Sequence, residues 1–345
     1  MGKTKRKGGL TGVSRFVFEA MGSTLETPPV VATTLQKTPE DADNQPRPSK
    51  RRKANDGSSL READTDPKSV KRYDASGLVP HYTHISEVPE HLHKYFAQRE
   101  RFFSLYSTAP GCLLDEEGWY SVTPELLADQ IAERCRCDTI LDAFCGVGGN
   151  AIAFAKTCQR VIALDTSSTR LALARHNAQI YGVADRIEFI LADYLSFAKA
   201  YSSHSKTEQV SPSIRKIDVV FLSPPWGGPS YLSGSSHDIA TQNNASEPEP
   251  EHPSYSLSSI QPIHGASLFD LTRSITKNVA YYLPRNTQLD EISGLLYKER
   301  QRTEGPTDAI DSQEKVEVEE EWMGNKLKAL TCYFGGLAFG QEDMF

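Results

Sequence analysis

Phe221-Leu222-Ser223-Pro224-Pro225-Trp226-Gly227-Gly228-Pro229-Ser230 is the stretch on which the reading of this chain turns. An apolar run ends in a rigid Ser-Pro-Pro corner, and the corner presents a tryptophan. Pro-Pro before the indole and Gly-Gly-Pro after it make a turn, not the interior of a helix or strand. Trp226 therefore reads as an exposed platform at a strand end, in preference to an ordinary core aromatic. Indole has the strongest cation–π attraction of the aromatic side chains, so the platform suits a flat, electron-poor or cationic ring. Backbone carbonyls near Ser223 and Pro224 are placed to orient the hydrogens of an amine on that ring.

Upstream of this turn the chain alternates strands and helices. Residues 139–145 read as strand one, 149–157 as a helix and 160–165 as strand two. A helix over 168–181 follows, then strand three at 187–192 and strand four at 217–223. A helix over 267–277 leads to strand five at 278–283, and segments 315–322 and 328–335 read as a closing hairpin. Such alternation implies a doubly wound, mostly parallel seven-stranded sheet with an antiparallel end. Before it, residues 90–107 show helical spacing of Leu92, Tyr95, Phe96, Phe102 and Leu105. Thr123 is the expected N-cap of a further helix, with Pro124 at its first position.

The composition divides the chain into three parts. Residues 1–72 hold 15 Lys and Arg against 9 Asp and Glu, and the remainder 23 against 36, giving −7 overall. A basic, low-hydrophobicity tail (1–80) reads as disordered and carries Arg47-Pro48-Ser49-Lys50-Arg51-Arg52-Lys53, a cluster of nuclear-import type. Residues 81–135 form a helical extension, and 136–345 the α/β domain. Polar segments near 201–216 and 232–256 read as mobile surface insertions. The six cysteines make no paired CxxC arrangement, which points to reduced thiols and no structural metal. No apolar run approaches the roughly 18 residues a membrane span needs.

Asp142-Ala143-Phe144-Cys145-Gly146-Val147-Gly148-Gly149-Asn150-Ala151 follows strand one. Gly146, Gly148 and Ala151 fit a G-x-G-x-x-G/A nucleoside-binding turn. Asp165, about 20 residues on, is placed to accept both ribose hydroxyls. Asp142, ahead of the glycines, is suited to an amino group, and Asp193 in Ala192-Asp193-Tyr194 to an adenine amine. Together these favour S-adenosylmethionine over NAD, which would also need a catalytic constellation that is missing. The competing reading of Asp193 is a helix cap. The Trp226 turn and the glycine turn would meet at the switch point of the sheet, where such folds bind ligands.

With these segments in place the chain resembles the trimethylguanosine synthase family over about residues 90–338. The carriers are Lys94-Tyr95-Phe96-Ala97-Gln98-Arg99, Gly118-Trp119-Tyr120-Ser121-Val122-Thr123-Pro124, the glycine turn, Ser223-Pro224-Pro225-Trp226-Gly227-Gly228-Pro229 with Tyr231, Leu283-Pro284-Arg285-Asn286, and Asn325-Lys326-Leu327-Lys328 before Tyr333-Phe334-Gly335. Phe96, Tyr120 and Ser230 depart from the residues usual in that family. The resemblance implies a Rossmann-like class I S-adenosylmethionine-dependent methyltransferase that turns 7-methylguanosine caps of small nuclear and nucleolar RNAs into 2,2,7-trimethylguanosine. It implies that Trp226 stacks on the base, with Ser223 and Pro224 at the reacting amine. Asp142, Phe144, Cys145, Gly146, Gly148, Asn150, Asp165, Asp193 and Tyr194 would bind the donor. Lys94, Tyr231, Arg285 and Lys328 would meet the cap triphosphate. Phe103 and Thr123 would help close the pockets.

Several wider expectations accompany this. The methyl transfer needs alignment and neither a dedicated general base nor a metal. The protein is expected to be a monomer in the nucleus or nucleolus, with some cytoplasmic presence. The tail would meet ribonucleoprotein partners, and no membrane is involved. Competing readings are an amine methyltransferase acting on adenine N6 or a protein glutamine, disfavoured by Ser223 and Trp226, and a non-catalytic cap-binding module, disfavoured by the intact donor motif.

Overall fold

The computed structural model describes residues 15–19, 73–205, 216–228, 254–303 and 314–339. Eight strands form one sheet: β1 (Arg15–Glu19), β2 (Thr139–Asp142), β3 (Arg160–Asp165), β4 (Ile187–Leu191), β5 (Val219–Leu222), β6 (Val279–Pro284), β7 (Lys315–Met323) and β8 (Lys326–Phe334). Their order is β1-β7-β8-β6-β5-β2-β3-β4. The five strands from β6 to β4 are parallel, and β8, β7 and β1 add antiparallel. The expected seven-stranded sheet is thus present. The added strand β1 comes from the tail read as disordered, and it pairs with β7 from Arg15↔Glu319 to Glu19↔Lys315. The rest of that tail, with its basic cluster, lies outside the described residues.

Central strands β2 and β5 are buried at every position, as are all six residues of β6. Their unbroken apolar runs follow from helices covering both faces of a parallel sheet. Strand alternation divides the core in two. Ile140, Phe221 and Tyr282 face the layer of α4 (Glu125–Arg134), α5 (Gly149–Thr157) and α6 (Ser168–Ile180). Leu141, Leu222 and Tyr281 face α7 (Tyr194–Ser205), α8 (Gly265–Arg273) and α9 (Leu289–Thr303).

The extension shares the first of these cores. Its short helices are α1 (His93–Phe96), α2 (Arg99–Phe102) and α3 (Glu116–Ser121). The single helix suggested over 90–107 is broken at Ala97-Gln98, and α2 ends at Phe102 with Phe103 extended (φ −137°), which lets the two adjacent rings both be buried. Arg99 bridges the break, its guanidinium 4.3 Å from the Phe96 ring centroid and its Nη1 donating to the Phe96 carbonyl. Residues on α6 fasten the extension down. Asn177 accepts from Leu113 N–H and donates to Leu113 and Val147 carbonyls, and His176 meets Gly111 O and Ala75 N–H.

Other elements differ from the sequence reading. α9 was not anticipated, although Ile292, Leu295 and Leu296 give it a buried stripe at i, i+3, i+4. α7 runs into the expected 201–216 insertion as far as Ser205, and 206–215 lie outside the described residues. Of the second insertion, 254–256 are anchored: Tyr255 is buried and bridges to Thr287. Pro124, not Thr123, holds the N-cap position of α4.

One face of β7 is unusual: Glu317, Glu319 and Glu321 alternate inward and are all buried. Arg134 of α4 lies among them, paired with Glu317 at 3.0 Å and with Glu319, and stacked 4.3 Å from the Tyr333 ring. Burial pushes Glu321 up to about 8, with the Thr331 hydroxyl (2.5 Å) opposing, so the site carries less charge than its residues suggest. Arg134→Leu would remove the buried guanidinium that pairs with Glu317 and Glu319. We expect it to lower unfolding free energy by about 3–5 kcal/mol in urea titrations.

Candidate active site at the carboxyl ends of the strands

A cavity of about 630 Å³ opens where β2 and β5 end, at the point where the chain reverses its direction across the sheet. The glycine segment, Asp165, Asp193, the Ser223–Trp226 turn, the extension and the β8 end all contribute to its wall. β2 stops at Asp142 instead of continuing to 145, because the chain turns at once into the glycine loop. Gly146 (φ 51°) and Gly148 (φ 91°) occupy the left-handed region that favours glycine. A Cβ on Gly148 would stand 3.0 Å from that of Ala174, so this glycine serves helix packing and does not itself line the cavity.

Two carboxylates bracket the loop. Asp165 accepts from Gly146 N–H (3.0 Å) and Ser167 N–H (2.8 Å), one bond to each oxygen. Each oxygen keeps further acceptor capacity toward the cavity. Asp142 is fully buried behind the wall, and neither of its oxygens makes a hydrogen bond of good geometry among the described residues. Burial pushes its pKa up to about 7; the Phe144 amide opposes this and the Asp165 charge adds to it. Such a group is poised for a cation.

Phe144, Cys145, Asn150, Asp193 and Tyr194 all line the cavity. Asp193 also caps α7, accepting from Ser196 N–H and hydroxyl; burial would raise its pKa, but these bonds outweigh it and the net shift is downward. Both readings of Asp193 are therefore compatible. The Tyr194 hydroxyl is 2.7 Å from Thr272 Oγ1. Thr123, freed from capping, accepts from Asn150 Nδ2 at 3.0 Å and ties the extension to the glycine helix.

The turn that opened the sequence reading forms the opposite end. Gly227 (φ 90°) and Gly228 (φ 71°), directly after the indole, occupy the left-handed region that favours glycine. Trp226 is half-buried, lines the cavity, and lies 5.3 Å from the Tyr282 ring at 31°. It is thus both a rim member of the core and a cavity wall. Pro225 O accepts from Gln261 N–H and Trp226 O from the Tyr255 hydroxyl. No donor among the described residues meets the carbonyls of Ser223 and Pro224. The Ser223 hydroxyl donates to Phe144 O (3.4 Å) and so links the two loops.

Cations gather at one side. Lys94, Arg285, Lys326 and Lys328 all line the cavity. Lys328 is half-buried, and burial, followed by the charges of Lys326, Arg101 and Arg285, lowers its pKa. Lys326 is exposed, so Lys328 is the inner of the two. Phe103 does not reach the cavity: it is 2% exposed and packs in the core near Tyr181, while Phe102 lines the wall instead. The expectation for Phe103 is corrected accordingly. Tyr231 lies outside the described residues.

The sequence reading missed a cluster from the extension. Arg170 of α6 meets Asp115 (2.9 Å) and Glu117, and Asp115 also accepts from Gly118 N–H as the cap of α3. All three charged residues line the cavity. Tyr282, Gln261 and Pro262 beside the indole were likewise not anticipated. The only available signal was the local cap pattern at Asp115; the pairings themselves join residues 53 and 55 positions apart.

Comparison with known proteins bears directly on this site. Trimethylguanosine synthase of Schizosaccharomyces pombe (strain 972) is 37% identical over 211 residues, covering 60% of this chain and 76% of the yeast protein. That of Saccharomyces cerevisiae is 33% identical over 207 residues, covering 59% of this chain and 57% of the relative. Among solved structures, an O-methyltransferase from Bacillus cereus in complex with SAH overlays with a TM-score of 0.38 at 11% identity, covering 69% of this chain and 90% of that one. That likeness is too slight to inform the site. The model of the RNA cap guanine-N2 methyltransferase family matches residues 137–249 and 250–337, which take in the glycine turn, the Trp226 turn and the β6 and β8 cations. A chain matched over more than half its length, with a donor-type cleft facing an aromatic platform, belongs to the RNA cap guanine-N2 methyltransferase family.

Proposed function

We propose that this protein converts the 7-methylguanosine cap of small nuclear and nucleolar RNAs into 2,2,7-trimethylguanosine, and that the residues around the cavity divide the work as follows. The observation that carries the reading is the pairing of the Trp226 platform with the carbonyls of Ser223 and Pro224, unmet among the described residues, in one cavity with Asp165 and with Asp142 buried behind its wall. S-adenosylmethionine, when bound, supplies an electrophilic methyl group.

The orphaned carboxylate of Asp142 fits the donor's cationic amino group, and the spare acceptor capacity of Asp165 fits its ribose hydroxyls. Trp226 and Tyr282 hold the 7-methylguanine. Its N7 methyl makes the base cationic, and a desolvated cation–π contact contributes about 2 kcal/mol or more, a factor of about thirty over guanine. The carbonyls of Ser223 and Pro224 accept the N2 hydrogens and aim the nitrogen. N2 is a weak nucleophile, so the chain acts by alignment. Its proton leaves late, to water, and the transfer needs no dedicated base and no metal. Lys94, Arg285 and Lys328 hold the triphosphate.

A nuclear or nucleolar location, supported by Arg47–Lys53, and tail contacts to ribonucleoprotein partners are part of the same proposal. So is action as a monomer.

The deciding assay incubates the protein with labelled S-adenosylmethionine and either 7-methylguanosine-capped or guanosine-capped dinucleotide, then weighs the products. Two methyl groups added to the first substrate alone are expected. Transfer to uncapped adenine-containing RNA, with none to the cap, would overturn the reading.

Donor binding should depend on pH. Asp142 is neutral below its pKa of about 7 and then offers the donor's ammonium no charge. The donor's own α-amino group loses its proton near about 7.7–8.0. Affinity should therefore peak between these values and fall up to about tenfold per pH unit below them. Calorimetry on the wild type and on Asp142→Asn checks this: the variant should bind more weakly and lose the acid limb.

A further inference from the structure

We propose that Arg101 and Lys326 form an outer cationic lip that binds the phosphodiester backbone of the nucleotides after the cap, so that the substrate is a capped RNA chain and not the cap alone. This rests on the cap-methylating reading above and extends its binding site outward.

The first ground is charge distribution. The chain carries −7 overall, and beyond residue 72 acids outnumber bases by 36 to 23. Against that background Lys94, Arg285, Lys326 and Lys328 line one cavity, and Arg101 lies near enough to Lys328 for its charge to act there. Elsewhere several exposed and half-exposed cations are paired: Lys156 with Glu125 and Asp129, Arg160 with Glu188, Arg136 with Glu133. Among the described residues, no carboxylate lies within salt-bridge distance of Lys94, Arg101, Lys326 or Lys328. Like charges brought together repel, and after burial, the larger cause, the charges of Lys326, Arg101 and Arg285 lower the pKa of Lys328. A bound polyanion removes that repulsion.

The second ground is the gradation from inside to outside. Arg285 and Lys328 are half-buried in the cavity wall, whereas Lys326 and Arg101 are exposed. Lys326 and Lys328 stand two apart on β8, hence on one face and about 7 Å apart. That separation is comparable to the spacing of consecutive phosphates along a strand. Arg101 directly precedes Phe102, which lines the cavity. Its neighbour Arg99 is used structurally against Phe96, so α2 keeps one arginine for the fold and presents the other to solvent. The inner cations suffice for the triphosphate. The outer two carry the same positive charge from the cavity wall out to the exposed surface.

The test compares a 7-methylguanosine-capped dinucleotide with a capped oligonucleotide of several residues. Binding is read by fluorescence anisotropy across a salt series, and turnover by labelled donor, for the wild type and the Arg101→Gln/Lys326→Gln double variant. The wild type should bind the oligonucleotide more tightly. The variant should lose about tenfold more affinity for the oligonucleotide than for the dinucleotide, and its salt slope on the oligonucleotide should fall by about 1 to 1.5. A wild type that does not distinguish the two ligands, or a variant that loses both equally or neither, would overturn the lip. Absence of methyl transfer with the oligonucleotide preference intact would overturn the chemistry and leave the lip standing.

Discussion

Trp226→Ala is expected to lower kcat/KM for the 7-methylguanosine cap by at least about a hundredfold. Stacking of a base on an aromatic side chain contributes about 1–3 kcal/mol, and the cation–π attraction adds about 2 kcal/mol when the contact is desolvated. Alanine removes both and also leaves the Tyr282 ring without its neighbour at 5.3 Å. Discrimination between 7-methylguanosine and guanosine caps should collapse together with the rate. Donor affinity should stay within about threefold, because Asp142 and Asp165 end other strands, β2 and β3. Trp226→Phe separates the effects: a smaller π face should retain part of the turnover and part of the discrimination. Steady-state kinetics on both caps, with donor calorimetry in parallel, measures each quantity. Unchanged turnover in the alanine variant would remove the indole from the mechanism.

Asp165→Ala should weaken donor binding by about a hundredfold or more. The side chain does two jobs. It holds Gly146 N–H and Ser167 N–H at 3.0 and 2.8 Å, which fixes the glycine loop against the start of α6. It also presents a charged acceptor to the ribose, and hydrogen bonds to charged groups contribute about 1.5–3 kcal/mol each. Losing both at once should raise the donor dissociation constant steeply, while cap binding measured without donor stays near the wild-type value. Asp165→Asn should be almost as poor, since its amide NH₂ would confront one of the two backbone donors. An unaltered donor dissociation constant would take Asp165 out of the site.

The chain announces its sheet because parallel strands covered on both faces must be apolar throughout. Thr139–Asp142, Val219–Leu222 and Val279–Pro284 could scarcely be anything else, and the glycine and Pro-Pro-Trp turns between them follow from local backbone chemistry. The donor turn, the aromatic platform and most of the cations were legible for that reason: each is a short segment whose residue types constrain it on their own. The edges were harder. Strand β1 exists only through its pairing with β7, and α9 carries a thin apolar stripe among polar residues.

What tertiary structure alone decided are the meetings of distant residues. Phe102 and not Phe103 reaches the cavity, because α2 ends at Phe102 and the extended Phe103 turns its ring into the core, and spacing cannot say which ring faces which way. Thr123 serves Asn150 instead of its own helix, and Arg170 finds Asp115 and Glu117 across the domain. The availability of Ser223 and Pro224 carbonyls emerges only once Gln261 and Tyr255 are seen to occupy the next two. Local sequence fixes backbone geometry and hydrophobic pattern, since those energies arise within a few residues. Which polar atom is left without a partner depends on every element packed around it, and only the assembled fold supplies that.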